Sequence, residues 1–225
     1  MEGQPIETGE PREFHVLDAI IGVITRPART LRRIALIRPW PQALAVYIGI
    51  AVLEGLTSLT LPRSSFEPST AGAPTLGTGA ELFLQTITTP TFLFGSTLVL
   101  NPLALLLETG VLFLVARLLG GRDPFSGLLS TFAFASVPLL IMEPVTAVLN
   151  LGGSAMADGM VRGLLSFAAG IWVLVLQVLA IRESFSFSTG RAVAVFLIPF
   201  AVIVLLSCAG GLLIASLVLN AVNGQ

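Results

Sequence analysis

From residue 91 to 119 the chain reads TFLFGSTLVLNPLALLLETGVLFLVARLL, an apolar run closed by Gly120-Gly121, with a second apolar run starting at Phe125. At 1.5 Å per helical residue, roughly 20 apolar residues cross a hydrocarbon core about 30 Å thick. Lipid offers backbone groups no hydrogen-bond partners, so such a run must be a helix that closes its own bonds. It is too long and continuous for a transmembrane strand. The rest of the chain agrees. Hydrophobic residues make up 54% of it, charged residues 11%, and the mean hydropathy is +0.91, outside the range of a soluble domain. The predicted class is all-α: a polytopic membrane helix bundle of five transmembrane helices, with an amphipathic N-terminal helix.

The expected organisation has three parts. Residues 1–13 are polar and rich in Pro and Glu, with nothing to bury, and read as a disordered tail. Residues 14–39 form an amphipathic and basic segment, with Phe14, Leu17, Ile20, Ile21 and Ile24 at helical spacing before an interruption at Pro27. Residues 40–220 form the transmembrane domain, with spans at about 41–61, 92–119, 125–149, 164–181 and 192–219. Between the first two spans, residues 63–79 read as a surface loop and 80–89 as a short interfacial helix. Asp123 is expected to cap the third span, and residues 150–162 to form a short polar loop. Ser207, Gly211 and Ala215 make a small-residue stripe suited to close helix packing.

All 12 basic residues are arginines, and their placement sets an orientation. Arg12, Arg26, Arg29, Arg32, Arg33 and Arg38 precede the first span, Arg117 and Arg122 flank the second turn, and Arg182 and Arg191 flank the fourth. The alternate loops hold only Arg63 and Arg162. The N-terminus is therefore predicted in the cytoplasm and the C-terminus outside. The acidic N-terminus does not read as a cleavable signal peptide. Near an anionic leaflet each arginine is worth about 1 kcal/mol, so Arg26, Arg29, Arg32, Arg33 and Arg38 are candidates for holding their segment on the lipid surface.

Glu54, Glu108 and Glu143 each lie inside an apolar run. Counted from the cytoplasmic ends of their spans, they lie roughly 20, 16 and 27 Å deep, which puts Glu54 and Glu108 in one layer. A carboxylate at that depth costs several kcal/mol unless it is paired or protonated. Two arrangements meet the demand. Two or three of the glutamates share a polar cavity that binds a proton, a metal ion or an amine, or each is a separate acid bonded to backbone freed by a nearby proline.

Enzyme signatures are missing. His15 is the single histidine, so zinc motifs and a histidine-activated serine are excluded, and no aspartate lies within a span. With no lysine, lysine-based chemistry is excluded. Cys208 is the single cysteine and can form no intrachain disulfide. No enzyme activity, cofactor or nucleic-acid partner is expected. Anionic lipid at the cytoplasmic face is the expected partner, alongside a second copy or another membrane protein.

The order of features resembles the Yip-domain family, the Ypt/Rab-interacting membrane proteins and their prokaryotic relatives. Arg26-Pro27 and Arg38-Pro39 bracket a basic stretch, five spans follow, and LLGGRDPFSGLLSTFAFASVP and IWVLVLQVLAIRESFSFSTGRAVAVF carry the likeness over residues 23–206. RPWPQ stands where eukaryotic members carry an acidic Leu-x-Gly-Pro motif. The resemblance implies a five-span fold with a cytosolic N-terminus and no enzyme activity. The expected role, read from the amphipathic and basic segment, is that of a non-catalytic membrane organiser or adaptor in a prokaryotic plasma membrane, engaging lipid or a partner. The glutamates leave a small permease or an ion-binding protein as the alternative.

Overall fold

The computed structural model describes residues 14–60, 79, 83, 86–87, 89–151 and 155–223, with backbone alone for 155–159 and 211–223. Its helices are α1 (Val16–Thr25), α2 (Pro27–Ile37), α3 (Trp40–Leu59), α4 (Pro90–Leu118), α5 (Phe125–Ala135), α6 (Pro138–Leu151), α7 (Ala155–Phe185) and α8 (Thr189–Asn223). Five stretches are long and apolar enough to cross a membrane: Trp40–Leu59, Pro90–Leu118, Phe125–Leu151, Met160–Phe185 and Thr189–Gly210. The class is all-α, a polytopic helical bundle.

The chain folds around α5. Residues 127–138 are all buried, and α5 touches α1, α2, α3, α4 and α7. Its sequence, FSGLLSTFAFA, alternates bulky rings with Gly, Ser, Thr and Ala, and those small residues let neighbouring backbones approach. A Cβ on Gly127 would stand 3.4 Å from the Ala35 carbonyl of α2. Thr131 and Ser184 share a buried hydroxyl bond of 2.8 Å that ties α5 to α7. Outside α5, the helices α3, α4, α8, α7 and α6 touch in that order, and α6 touches α3 again.

The third span is broken between α5 and α6. Ser136 and Val137 bond to carbonyls three residues back, as do Leu139 and Leu140, so the helix tightens on either side of Pro138 before α6 continues.

The turn before α5 follows from two glycines. Gly120 has φ +90°, a conformation open to glycine, and the Gly121 N–H reaches back to Ala116 O at 2.8 Å to close the end of α4. A Cβ on Gly121 would fall 2.7 Å from the Phe185 ring and 2.9 Å from Ala116 O. Asp123 does not cap the next helix, since Pro124 occupies that position and no side chain bonds there. An aromatic run at the same end, Phe125–Phe113–Phe185–Phe187, joins α4, α5 and the α7–α8 turn at centroid distances of 5.6, 6.3 and 5.4 Å. Arg117 and Arg191 lie over its Phe113 and Phe187 rings.

The segment 14–39 is a helical hairpin, bent at Arg26-Pro27, where Arg26 takes φ −142°, ψ 61°. Its buried faces are Ala19 and Val23 on α1 and Leu31, Ile34 and Ala35 on α2. α2 packs on α5 and α7, and Phe14 meets the buried Phe134 edge-on at 5.9 Å. The apolar set expected to mark one face of α1 is divided. Phe14, Ile20 and Ile24 pack on the core, while Leu17 and Ile21 are exposed.

Two further differences concern the loops. α6 extends through Asn150 and α7 begins at Ala155, so most of the expected polar loop over 150–162 is helical. The tail at 1–13 and nearly all of the expected loop and short helix over 63–89 lie outside the described residues, as does the Ala215 side chain of the small-residue stripe.

Candidate functional site

Two polar regions hold the candidate residues. The first lies between α3, α4 and α6. Asn101 donates to the Glu54 carboxylate at 2.6 Å, which sets the register of the antiparallel α3–α4 pair. Tyr47 lies two turns before Glu54, and Glu108 two turns after Asn101. Both steps run the same way along the bundle, so Glu54 is level with Asn101, and Glu108 lies about 10 Å away, beside Tyr47. Tyr47 is within electrostatic reach of both Glu54 and Glu108. Counting residues from the span ends puts Glu54 and Glu108 in one layer because it takes no account of the offset between helices.

Glu143 is within electrostatic reach of Glu54, and its main-chain carbonyl accepts from Thr57 at 3.3 Å. Among the described residues, no three of His, Cys, Asp and Glu gather closely enough to hold a metal ion.

Sequence reasoning missed the polar partners in this region. Besides Tyr47 and Asn101, Arg162 donates to Asn150 at 2.7 Å, and Asn150 donates to Thr60 at 3.0 Å, linking α7, α6 and α3. Arg162 was expected in a loop, but it lies inside the stretch Met160–Phe185. Asn101, Asn150 and Thr60 are uncharged, and nothing in their spacing announces partners on other helices.

The second region is the α1–α2 hairpin. Arg26, Arg29, Arg32, Arg33 and Arg38 are all exposed. Among the described residues the ion pair found is Arg182–Glu183, at 3.2 Å, and none of these five arginines has a carboxylate at such a distance. They do not form one uniform patch. Arg26, Arg29 and Arg33 line a cleft of about 420 Å³ between the two helices, together with His15, Asp18 and Thr30. Arg32 does not line it, and Arg38 ends α2 in the left-handed region, close to Gly127. Gly22 brings the two helices together, since a Cβ there would lie 2.6 Å from Thr30 Oγ1.

His15 reads from sequence as an ordinary surface residue. The signal that marks it is spacing: His15, Asp18 and Gly22 recur at three and four residues, on one face of α1. The apolar residues Leu17 and Ile21 lie off that face.

No curated protein and no solved structure matches the chain. The family model of the Yip1 domain matches residues 21–211, from within α1 into α8. That span takes in α2 with its arginines, the double-glycine turn, the buried α5 and the whole of all five stretches that can cross a membrane. The chain belongs to the Yip1-domain family of integral membrane proteins.

Proposed function

We propose that this protein is a non-catalytic membrane organiser or adaptor whose α1–α2 hairpin engages anionic lipid at the cytoplasmic face. In this reading it lies in a prokaryotic plasma membrane with its N-terminus in the cytoplasm and its C-terminus outside. The observation that carries the proposal is the hairpin's construction. Leu31, Ile34 and Ala35 are buried on the side of α2 that meets α5 and α7, while all five arginines are exposed. At about 1 kcal/mol per charge, such a hairpin binds an anionic leaflet by several kcal/mol without ordering a free segment on arrival.

The alternative, a small permease or ion-binding protein centred on Glu54, Glu108 and Glu143, draws less support. Glu54 is answered by Asn101, and Glu108 lies two turns from that pair.

The test is lipid retention. The full chain in neutral detergent is given equal phosphatidylglycerol and phosphatidylcholine, and retained lipid is counted by native mass spectrometry. Wild type is expected to favour phosphatidylglycerol, and Arg29→Gln/Arg32→Gln/Arg33→Gln to lose that preference. An unchanged ratio overturns the proposal.

A further inference from the structure

We propose that the α1–α2 cleft is a binding site for a phosphate monoester, held by Arg26, Arg29 and Arg33. This rests on the reading of α1–α2 as a lipid-facing hairpin. It goes further by dividing the arginines into three that build a site and two that supply only surface charge.

The cleft's volume of about 420 Å³ falls within the range of small-molecule sites. Its lining carries three guanidinium groups against one carboxylate, Asp18, an excess of two positive charges that matches a dianion. Guanidinium groups offer paired donors in a fixed fork that fits phosphate oxygens bidentately. His15 and Thr30 add polar atoms to the wall. Arg26, Arg29 and Thr30 also belong to the cap and first turn of α2, where the helix dipole favours an anion.

The cleft is held in shape from both sides. On the α2 side Thr30 Oγ1 donates to Arg26 O at 3.0 Å, and on the α1 side the Arg26 N–H closes the helix by bonding to Gly22 O at 2.8 Å. Phe14, Ala19 and Ile34 give it an apolar base. Leu17 and Ile21, 72% and 60% exposed on the same helix, provide apolar surface of the kind an acyl chain covers. A phosphate monoester occurs both as a lipid headgroup and as a free metabolite, and the test separates the two sources.

The full chain in neutral detergent is titrated with phosphatidic acid, with phosphatidylglycerol at matched charge, and with glycerol 3-phosphate. Retention is read by native mass spectrometry and by shift of the melting temperature. Arg29→Gln/Arg33→Gln is compared with Arg32→Gln/Arg38→Gln, which removes the same charge outside the cleft.

Phosphatidic acid is expected to bind more tightly than phosphatidylglycerol, and to weaken about tenfold or more in the cleft variant but much less in the control. Binding of glycerol 3-phosphate with the same dependence on Arg29 and Arg33 supports the site with a soluble source. Binding of phosphatidic acid alone supports it with a lipid source. Equal loss in both variants, no preference for the monoester, or no binding of either monoester overturns the inference. An intact preference for phosphatidylglycerol over phosphatidylcholine in the same samples would show that the surface reading survives when the site does not.

Discussion

Replacing Gly22 with alanine tests the packing that shapes the α1–α2 hairpin. The new Cβ would stand 2.6 Å from Thr30 Oγ1, 3.0 Å from its Cγ2 and 3.3 Å from its Cβ. Thr30 cannot simply turn away, because it is β-branched and its hydroxyl is bonded to Arg26 O. Overpacking of this kind costs about 1–3 kcal/mol, partly offset by about 1 kcal/mol of improved helix propensity. The net loss is about 0–2 kcal/mol, or up to about 8 °C in melting temperature for a chain of this size.

Gly49, in α3, has nothing within 4 Å of a built Cβ, so Gly49→Ala keeps the propensity gain alone. The two variants should therefore differ by about 1–3 kcal/mol in thermal unfolding of the detergent-solubilised chain. Adding Thr30→Ala removes the two nearest atoms and should rescue Gly22→Ala, with a coupling of about 1–2 kcal/mol in the double-mutant cycle. If Gly22→Ala melts with Gly49→Ala, and the cycle is additive within about 0.5 kcal/mol, the helices are not in the close approach described.

Gly121→Ala should lower stability by about 1–3 kcal/mol, because its Cβ meets the Ala116 carbonyl, and backbone cannot yield as a flexible side chain can; a melt within 1 °C of wild type would contradict this. For the hydroxyl pair joining α5 to α7, a Thr131→Val/Ser184→Ala cycle should give a coupling of about 0.6 kcal/mol and at most about 1.7, and a coupling of zero would remove the bond from the account. Asn101→Leu leaves the Glu54 carboxylate without its donor and should cost about 1–3 kcal/mol, whereas Glu54→Gln keeps an acceptor for Asn101 and should cost less than about 1 kcal/mol. Equal losses in those two variants would assign the effect to charge rather than to the hydrogen bond.

Much of the architecture is legible in the sequence because the bilayer constrains it so strongly. The long apolar runs could only be helices, and Gly120-Gly121 could only be a turn. What the sequence conceals depends on which helix faces which. In water, the apolar face of α1 would mark its contact with the protein. In the proposed lipid-facing reading that rule fails, because Leu17 and Ile21 then lose nothing by facing outward, while Ala19 and Val23 are the residues buried. The same reasoning explains why FSGLLSTFAFA did not stand out as the centre of the fold. Its mean hydropathy does not set it apart as the centre, and its small and hydroxylated residues are what allows surrounding helices to approach it from several sides. The Glu54–Asn101 bond needs the relative register of two helices, which no single-chain periodicity contains. The arginine cluster was visible; its division into cleft and surface members was not, because it follows from the bend at Arg26-Pro27.

The surface reading and the phosphate site both require α2 to be a docked part of the bundle rather than a helix resting free on the membrane. Hydrogen exchange on the full chain in lipid nanodiscs tests this most directly. The amides of Leu31, Ile34 and Ala35 should be protected to a degree approaching that of Phe132 and Phe134 in α5, with which they share the buried core. Exchange at the rate of an isolated, fraying surface helix would contradict the account, since arginines on such a helix would have neither a fixed cleft nor a fixed presentation.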